Sequence, residues 1–226
     1  QVQINRKAGL DFPTIMRSFL RADPDVIMVG EMRDAETVSI GLEASLTGHL
    51  VLSTLHTNSA PESVVRLLDM GMDPFNFADA LLGVLAQRLA KRLCSNCRTP
   101  YVASPAEIDQ LLDEYAEDLR KTPAFNRDPD AARAALLADW QSRYADEQQR
   151  FTLYKPVGCD ECSGGGYRGR VGLHELMLGS DDIRKMIQTR ALVSDLLVTA
   201  LEEGMRTLRQ DGIEKVLGGY TDMAQV

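Results

Sequence analysis

Two short apolar runs limit what this chain can fold into. Asp25-Val26-Ile27-Met28-Val29-Gly30-Glu31 reads as a strand ending in a carboxylate, and Leu50-Val51-Leu52-Ser53-Thr54-Leu55-His56 reads as a second strand ending in an imidazole. One helix length of sequence separates them. A strand–helix–strand unit implies parallel strands. Glu31 and His56 then fall on the same sheet edge, the carboxyl-end edge where α/β proteins bind ligands. The first run, all Val, Ile and Met, is expected to be buried on both faces. A phosphate-binding loop of the form G-x-x-x-x-G-K-[ST] occurs nowhere in the 226 residues. The sequence therefore offers the carboxyl-edge side of a ligand site without a phosphate-binding half. Starting at Gln1 rather than Met, with a strand-like Gln1-Val2-Gln3-Ile4, it reads as a piece of a longer chain.

Composition narrows the class. The chain is 44% hydrophobic and 26% charged, ordinary for a globular protein. No apolar stretch approaches the roughly 20 residues that span a bilayer, and no signal peptide is expected. The net charge of −8 argues against nucleic acid as a partner, since phosphate backbones need a basic surface. Residues 101–150 hold 11 acidic against 6 basic residues, so most of the excess sits there.

Along the chain, Asp11 is placed to cap a helix over 12–22, with Phe12, Ile15, Met16, Phe19 and Leu20 as its stripe and Arg17 and Arg21 on the other side. Asp34 caps a helix from 35 to about 47, which Gly48 ends. Pro61 opens another. The leucines at 82, 85, 89 and 93 predict a helix over 75–93. Residues 101–150 read as two acidic helices, expected to form a solvated helical hairpin or, alternatively, a partner-docking arm. Strands are expected near 151–154 and 170–177, and short helices over 181–189, 194–203 and 207–217.

Glu31 at a strand end suits Mg²⁺ binding or water orientation in phosphoryl transfer, and reads equally as a solvated turn carboxylate. His56 suits a γ-phosphate or the positioning of Glu31, or is a loop histidine satisfied by backbone. His49 begins the same strand, about 20 Å away if the strand is continuous, and is assigned to the opposite edge. Arg17, Arg21 and Arg33 are candidates for stabilising phosphoryl oxygens, against surface arginines paired with acids. Cys94-Ser95-Asn96-Cys97 and Cys159-Asp160-Glu161-Cys162 are two C-x-x-C knuckles at the spacing of a structural Zn²⁺ site. Disulfides or free thiols are the alternatives. Arg92, Arg98, Arg168 and Arg170 are placed to offset the thiolate charge. The run Gly164-Gly165-Gly166-Tyr167-Arg168-Gly169 lacks the Lys-Ser/Thr of a phosphate loop and is expected to let the second knuckle turn tightly.

Several strings resemble one family in its order. They are Arg21 through Asp34, Gly48 through Asn58, Leu85-Ala86-Gln87-Arg88-Leu89, both knuckles, Gly166-Tyr167-Arg168-Gly169-Arg170 and Gly204-Met205-Arg206-Thr207-Leu208. The chain resembles the secretion and pilus traffic ATPases: type II secretion ATPases most, type IV pilus assembly ATPases next. Retraction ATPases, which lack the knuckles, resemble it less. The resemblance implies an α/β fold: the second half of a RecA-like P-loop ATPase core with a tetracysteine zinc subdomain and a C-terminal helical subdomain. It implies a core over 1–93, a zinc-binding subdomain over 94–168 with the insertion at 101–150, and a helical subdomain over 169–226. It makes Glu31 the Walker B glutamate and His56 the His-box residue, both facing the nucleotide. Arg17, Arg21 and Arg170 become arginines needed for hydrolysis, and Cys94, Cys97, Cys159 and Cys162 the ligands of a structural Zn²⁺. The full-length enzyme is expected to use ATP and Mg²⁺ as a cytoplasmic homo-hexamer. It would be peripheral to a bacterial inner membrane through platform proteins, and would drive pseudopilus assembly and type II secretion. Pilus assembly is the alternative. Without the phosphate loop, this piece is expected to be inactive and a monomer or weak oligomer; a non-catalytic, zinc-stabilised interaction module is the alternative for it alone.

Overall fold

A computed structural model of the protein describes residues 2–5, 7 and 9–226. The chain divides into two compact units, Gln1–Val84 with Met177–Leu197, and Leu85–Leu176 with Val198–Val226.

In the first unit, α1 (Phe12–Phe19) starts where the Asp11 carboxylate accepts the Thr14 N–H at 2.9 Å. It tightens into a 3-10 turn over Leu20–Ala22 and stops at Asp23, whose φ of 51° is left-handed. β1 (Val26–Val29) follows, then α2 (Ala35–Leu46), capped by Asp34 through the Thr37 N–H at 2.8 Å. Such a cap contributes about 1 kcal/mol. Gly48, at φ +104°, ends the turn after α2 as expected. β2 (Leu50–Ser53) then pairs parallel with β1, from Val26↔Leu50 to Val29↔Ser53. Met16 of α1 and Ile40 and Ala44 of α2 bury Ile27 and Val29. The other face is uncovered: Val26 is 52% and Met28 75% exposed, beside Leu50 and Leu52. This corrects the expectation of a strand buried on both faces. Among the described residues one helical layer reaches the sheet, so the strand alternates like a half-buried one.

α3 (Ala60–Asp69) and α4 (Pro74–Ala80) complete this part, and α8 (Asp181–Gln188) packs on α4. Phe77, Ile183 and Ile187 are fully buried. The helix expected over 75–93 is a correction. α4 ends at Ala80, Leu81 turns extended, and β3 (Gly83–Leu93) begins. A spacing of four is even, so Leu85, Leu89 and Leu93 share one face of a strand as readily as a helical stripe. No strand forms over residues 2–4, where an isolated Asn5↔Leu10 bridge follows instead; Gln1 lies outside the described residues.

In the second unit, β3 pairs with β6 (Tyr167–Leu178), and β4 (Thr99–Val102) pairs antiparallel with β5 (Thr152–Lys155). Between β4 and β5 come α5 (Pro105–Leu119), α6 (Pro123–Arg127) and α7 (Pro129–Tyr144). Reciprocal bonds between Ser104 and Glu107 cap α5. α9 (Val193–Glu202), whose residues divide between the two units after Leu197, and α10 (Leu208–Leu217) close the order. The insertion is not a solvated hairpin. Ile108, Leu111, Leu112 and Tyr115 of α5 and Trp140 of α7 form one core with Phe151, Leu153 and, from α10, Ile213, Val216 and Leu217. Its acids line the outer faces while its apolar stripe is spent on this core.

Candidate functional site

Two sets of residues carry chemistry. The first stands at the carboxyl ends of β1 and β2. Residues beyond Val29 and Ser53 leave the parallel pair on the same edge, so Glu31 and His56 are brought together. His56 Nε2 lies 2.9 Å from Glu31 Oε1. A carboxylate only accepts, so Nε2 is assigned the proton. The other oxygen, Oε2, accepts Arg33 Nε at 2.5 Å. The Glu31 side chain is 17% exposed, whereas those of His56 and Arg33 are 84% and 74% exposed. The carboxylate is thus set into the edge while its two cationic or proton-bearing partners face solvent. His49 sits before Leu50 at the opposite, amino end of β2, its Nδ1 bonded to Ala44 O at 3.0 Å.

The arginines are placed elsewhere. Arg17 pairs with Glu36 at 2.8 Å on the solvent side of α1. Arg17 and Arg21 line an open hollow of about 770 Å³ with Glu36, Glu43, Ser39 and Met72. Arg170 is exposed on β6, in the second unit. Arg33 rather than these is the guanidinium on Glu31. The sequence signal for it is a Gly-Glu-x-Arg turn at a strand end, too short a pattern to separate from a surface pair.

The second set is the tetracysteine cluster. The sulfurs of Cys94, Cys97, Cys159 and Cys162 all lie within 4.8 Å of one another. Cys94–Cys159 is 3.9 Å, Cys97–Cys162 3.7 Å and Cys159–Cys162 3.7 Å. A tetrahedron with metal–sulfur bonds of about 2.3 Å has edges of about 3.8 Å, so the four sulfurs fit Zn²⁺. Free thiols, none in a disulfide, stand at all four positions. Backbone N–H groups of Gly158, Cys159 and Gly166 point at the sulfurs from 3.2 to 3.3 Å. Such bonds favour thiolate. Burial pushes the Cys97 thiol up to about 11. Burial also acts to raise Cys162, yet the N–H groups of Cys159 and Gly166 outweigh it and bring that thiol down to about 7. The turn needs its glycines: a Cβ on Gly158, at φ +105°, would stand 2.4 Å from Gly164 O. Arg98, expected to offset thiolate charge, bonds Gly219 O and stacks 4.3 Å over the Tyr154 ring. Arg168 pairs with Glu161.

A carboxylate–imidazole pair on a parallel sheet edge and four cysteines grouped closely enough to hold a metal ion are the marks of this α/β protein. The chain belongs to the Type II/IV secretion system protein family, whose model matches residues 1–226. It is 44% identical to type II secretion system protein E of Dickeya dadantii and 41% identical to the type IV pilus assembly ATPase PilB of Thermus thermophilus. Each alignment covers all of this chain, but only 38% and 22% of those proteins. The fold is shared with the pilus retraction motor PilT, solved with bound ADP, at a TM-score of 0.57 and 23% identity over 95% of this chain and 42% of that one. The Legionella pneumophila ATPase DotB gives 0.54 and 20%, over 95% and 41%.

Proposed function

We propose that this chain is the Walker B, His-box and zinc-knuckle portion of a hexameric, RecA-like ATPase that powers pseudopilus assembly and type II protein secretion from the cytoplasmic side of a bacterial inner membrane. The observation that carries the reading is the 2.9 Å contact between Glu31 and His56 at the ends of two parallel strands. In the parent protein, ATP with Mg²⁺ supplies the phosphoryl group and the leaving diphosphate. What these residues do follows from their chemistry. Glu31, an acceptor set into the sheet edge, orients a water and takes its proton. His56, donating from Nε2, holds the carboxylate's rotamer. Arg17, Arg21 and Arg170 stay exposed, as guanidiniums that act on a neighbouring subunit's phosphates would. The phosphate cradle is not among these 226 residues, so no phosphate-binding role is given to this chain alone, and the isolated piece is read as inactive. Zn²⁺ on Cys94, Cys97, Cys159 and Cys162 is structural, because protein fills all four positions.

The test is Glu31→Gln in the full-length parent, which keeps the shape and removes the base. ATP hydrolysis should fall by about 10²-fold or more; an unchanged rate would leave the zinc-stabilised interaction module as the better reading. Type IV pilus assembly is the second reading, favoured by the 41% identity to a pilus assembly ATPase. A deletion strain that loses secreted enzymes but keeps its pili would decide for secretion.

A further inference from the structure

Glu31 is tied to β2 by more than its side chain. Thr54 Oγ1 donates to the Gly30 carbonyl at 2.6 Å, and the Thr54 carbonyl accepts the Met32 N–H at 3.1 Å. Gly30 and Met32 are the two chain neighbours of Glu31. The last register pair of the sheet is Val29↔Ser53, so both bonds lie where the regular ladder has ended. Gly30 has no side chain to restrict it, and a Cβ there would meet nothing within 4 Å. With no Cβ to restrict position 30, the two bonds to Thr54 are what tie this turn to β2. Two residues after Thr54, the same strand end delivers His56 to Glu31 Oε1.

We propose that Thr54 is a positioning residue for hydrolysis: its hydroxyl and carbonyl bracket the peptide of Glu31 and set the carboxylate against His56. The proposal rests on the reading of Glu31 as the hydrolytic carboxylate. A threonine that merely satisfied its own hydroxyl at the surface would leave turnover untouched. Misplacing a reacting group by about 1 Å costs up to about 10²-fold in rate.

The experiment compares Thr54→Val, Thr54→Ser and Glu31→Gln in the full-length parent, by steady-state ATP hydrolysis and thermal unfolding. Val keeps the shape and the carbonyl but deletes the donor; Ser keeps the donor. Thr54→Val is expected to lower kcat about tenfold or more with KM unchanged, Thr54→Ser to restore most of it, and both to unfold with the parent. A Thr54→Val rate within about twofold of the parent, while Glu31→Gln is inactive, overturns the Thr54 assignment alone. So does an equal loss in Thr54→Ser, or a loss confined to KM. Full activity in Glu31→Gln overturns both this assignment and the reading beneath it.

Discussion

At the scale of single residues, His49 and His56 show how one strand gives the same side chain two fates. His56 leaves the carboxyl end with Nε2 on Glu31. His49 enters at the amino end, and its Nδ1 closes the turn after α2 on Ala44 O. The strand geometry that separates them is legible in the spacing alone. His49→Ala should cost about 1 kcal/mol in urea-unfolding free energy and leave the parent's kcat unchanged, whereas His56→Ala should cut kcat while leaving stability nearly intact, its side chain being mostly exposed. Thr54 is harder to see: its bonds to the Gly30 carbonyl and from the Met32 N–H lie beyond the last ladder pair, and no side-chain pattern encodes which backbone groups fall opposite each other there.

At the scale of elements, the insertion between the knuckles is legible in the sequence as acidic helices but not as part of a core. Its helices follow from caps and periodicity, but its docking depends on an apolar stripe finding α10, about a hundred residues away in sequence. One polar cluster seals that contact. Glu214 accepts Tyr115 Oη at 2.9 Å and Arg143 Nη2 at 2.5 Å, with Arg206 Nε and Tyr144 Oη also on its carboxylate. Burial acts to raise the Glu214 pKa, but the bonds from Arg143 and Tyr115 and the charge of Arg206 prevail and hold it below the usual glutamate range. A depressed folded value means the stabilisation is complete above the unfolded value of about 4.3 and fades as pH falls through the folded one. Glu214→Gln should therefore lower stability at pH 7 and flatten the acid limb below about pH 4.3, as read by urea midpoints. Trp140, fully buried and edge-on to Tyr115 at 5.3 Å, is the apolar centre of the same contact. Trp140→Ala should cost about 3–5 kcal/mol. β3 shows the opposite failure: leucines four apart fit two periodicities, and only pairing with β6 decides between them.

At the scale of the whole molecule, the uncovered face of β1 and β2 sets how the chain behaves in water. Val26, Met28, Leu50 and Leu52 are neighbours in register and all more than 40% exposed. This patch should bind an apolar dye such as anilinonaphthalene sulfonate, and Met28→Lys should abolish most of that fluorescence without lowering the unfolding midpoint. A metal ion on the four cysteines would belong to this scale too. Purified chain should carry about one Zn²⁺, a stoichiometry set by one four-thiol site, and a chelator should destabilise it; metal-free chain with an unchanged midpoint would contradict a structural role. Bridged by a metal ion, the cysteines would also act as a fastener. Cys94 and Cys159 are 65 residues apart, and so are Cys97 and Cys162. Joining such distant points removes about 4 kcal/mol of loop entropy from the unfolded chain if the metal acts as a disulfide would. β4 and β5 zip the same loop just inside the four cysteines, from Thr99↔Lys155 to Val102↔Thr152. Folding of the insertion and capture of an ion there would share a single closure, each lowering the entropic cost of the other. Zinc affinity becomes a gauge of how firmly a helical core is packed: Trp140→Ala, though no part of the cysteine cluster, should release the ion more readily.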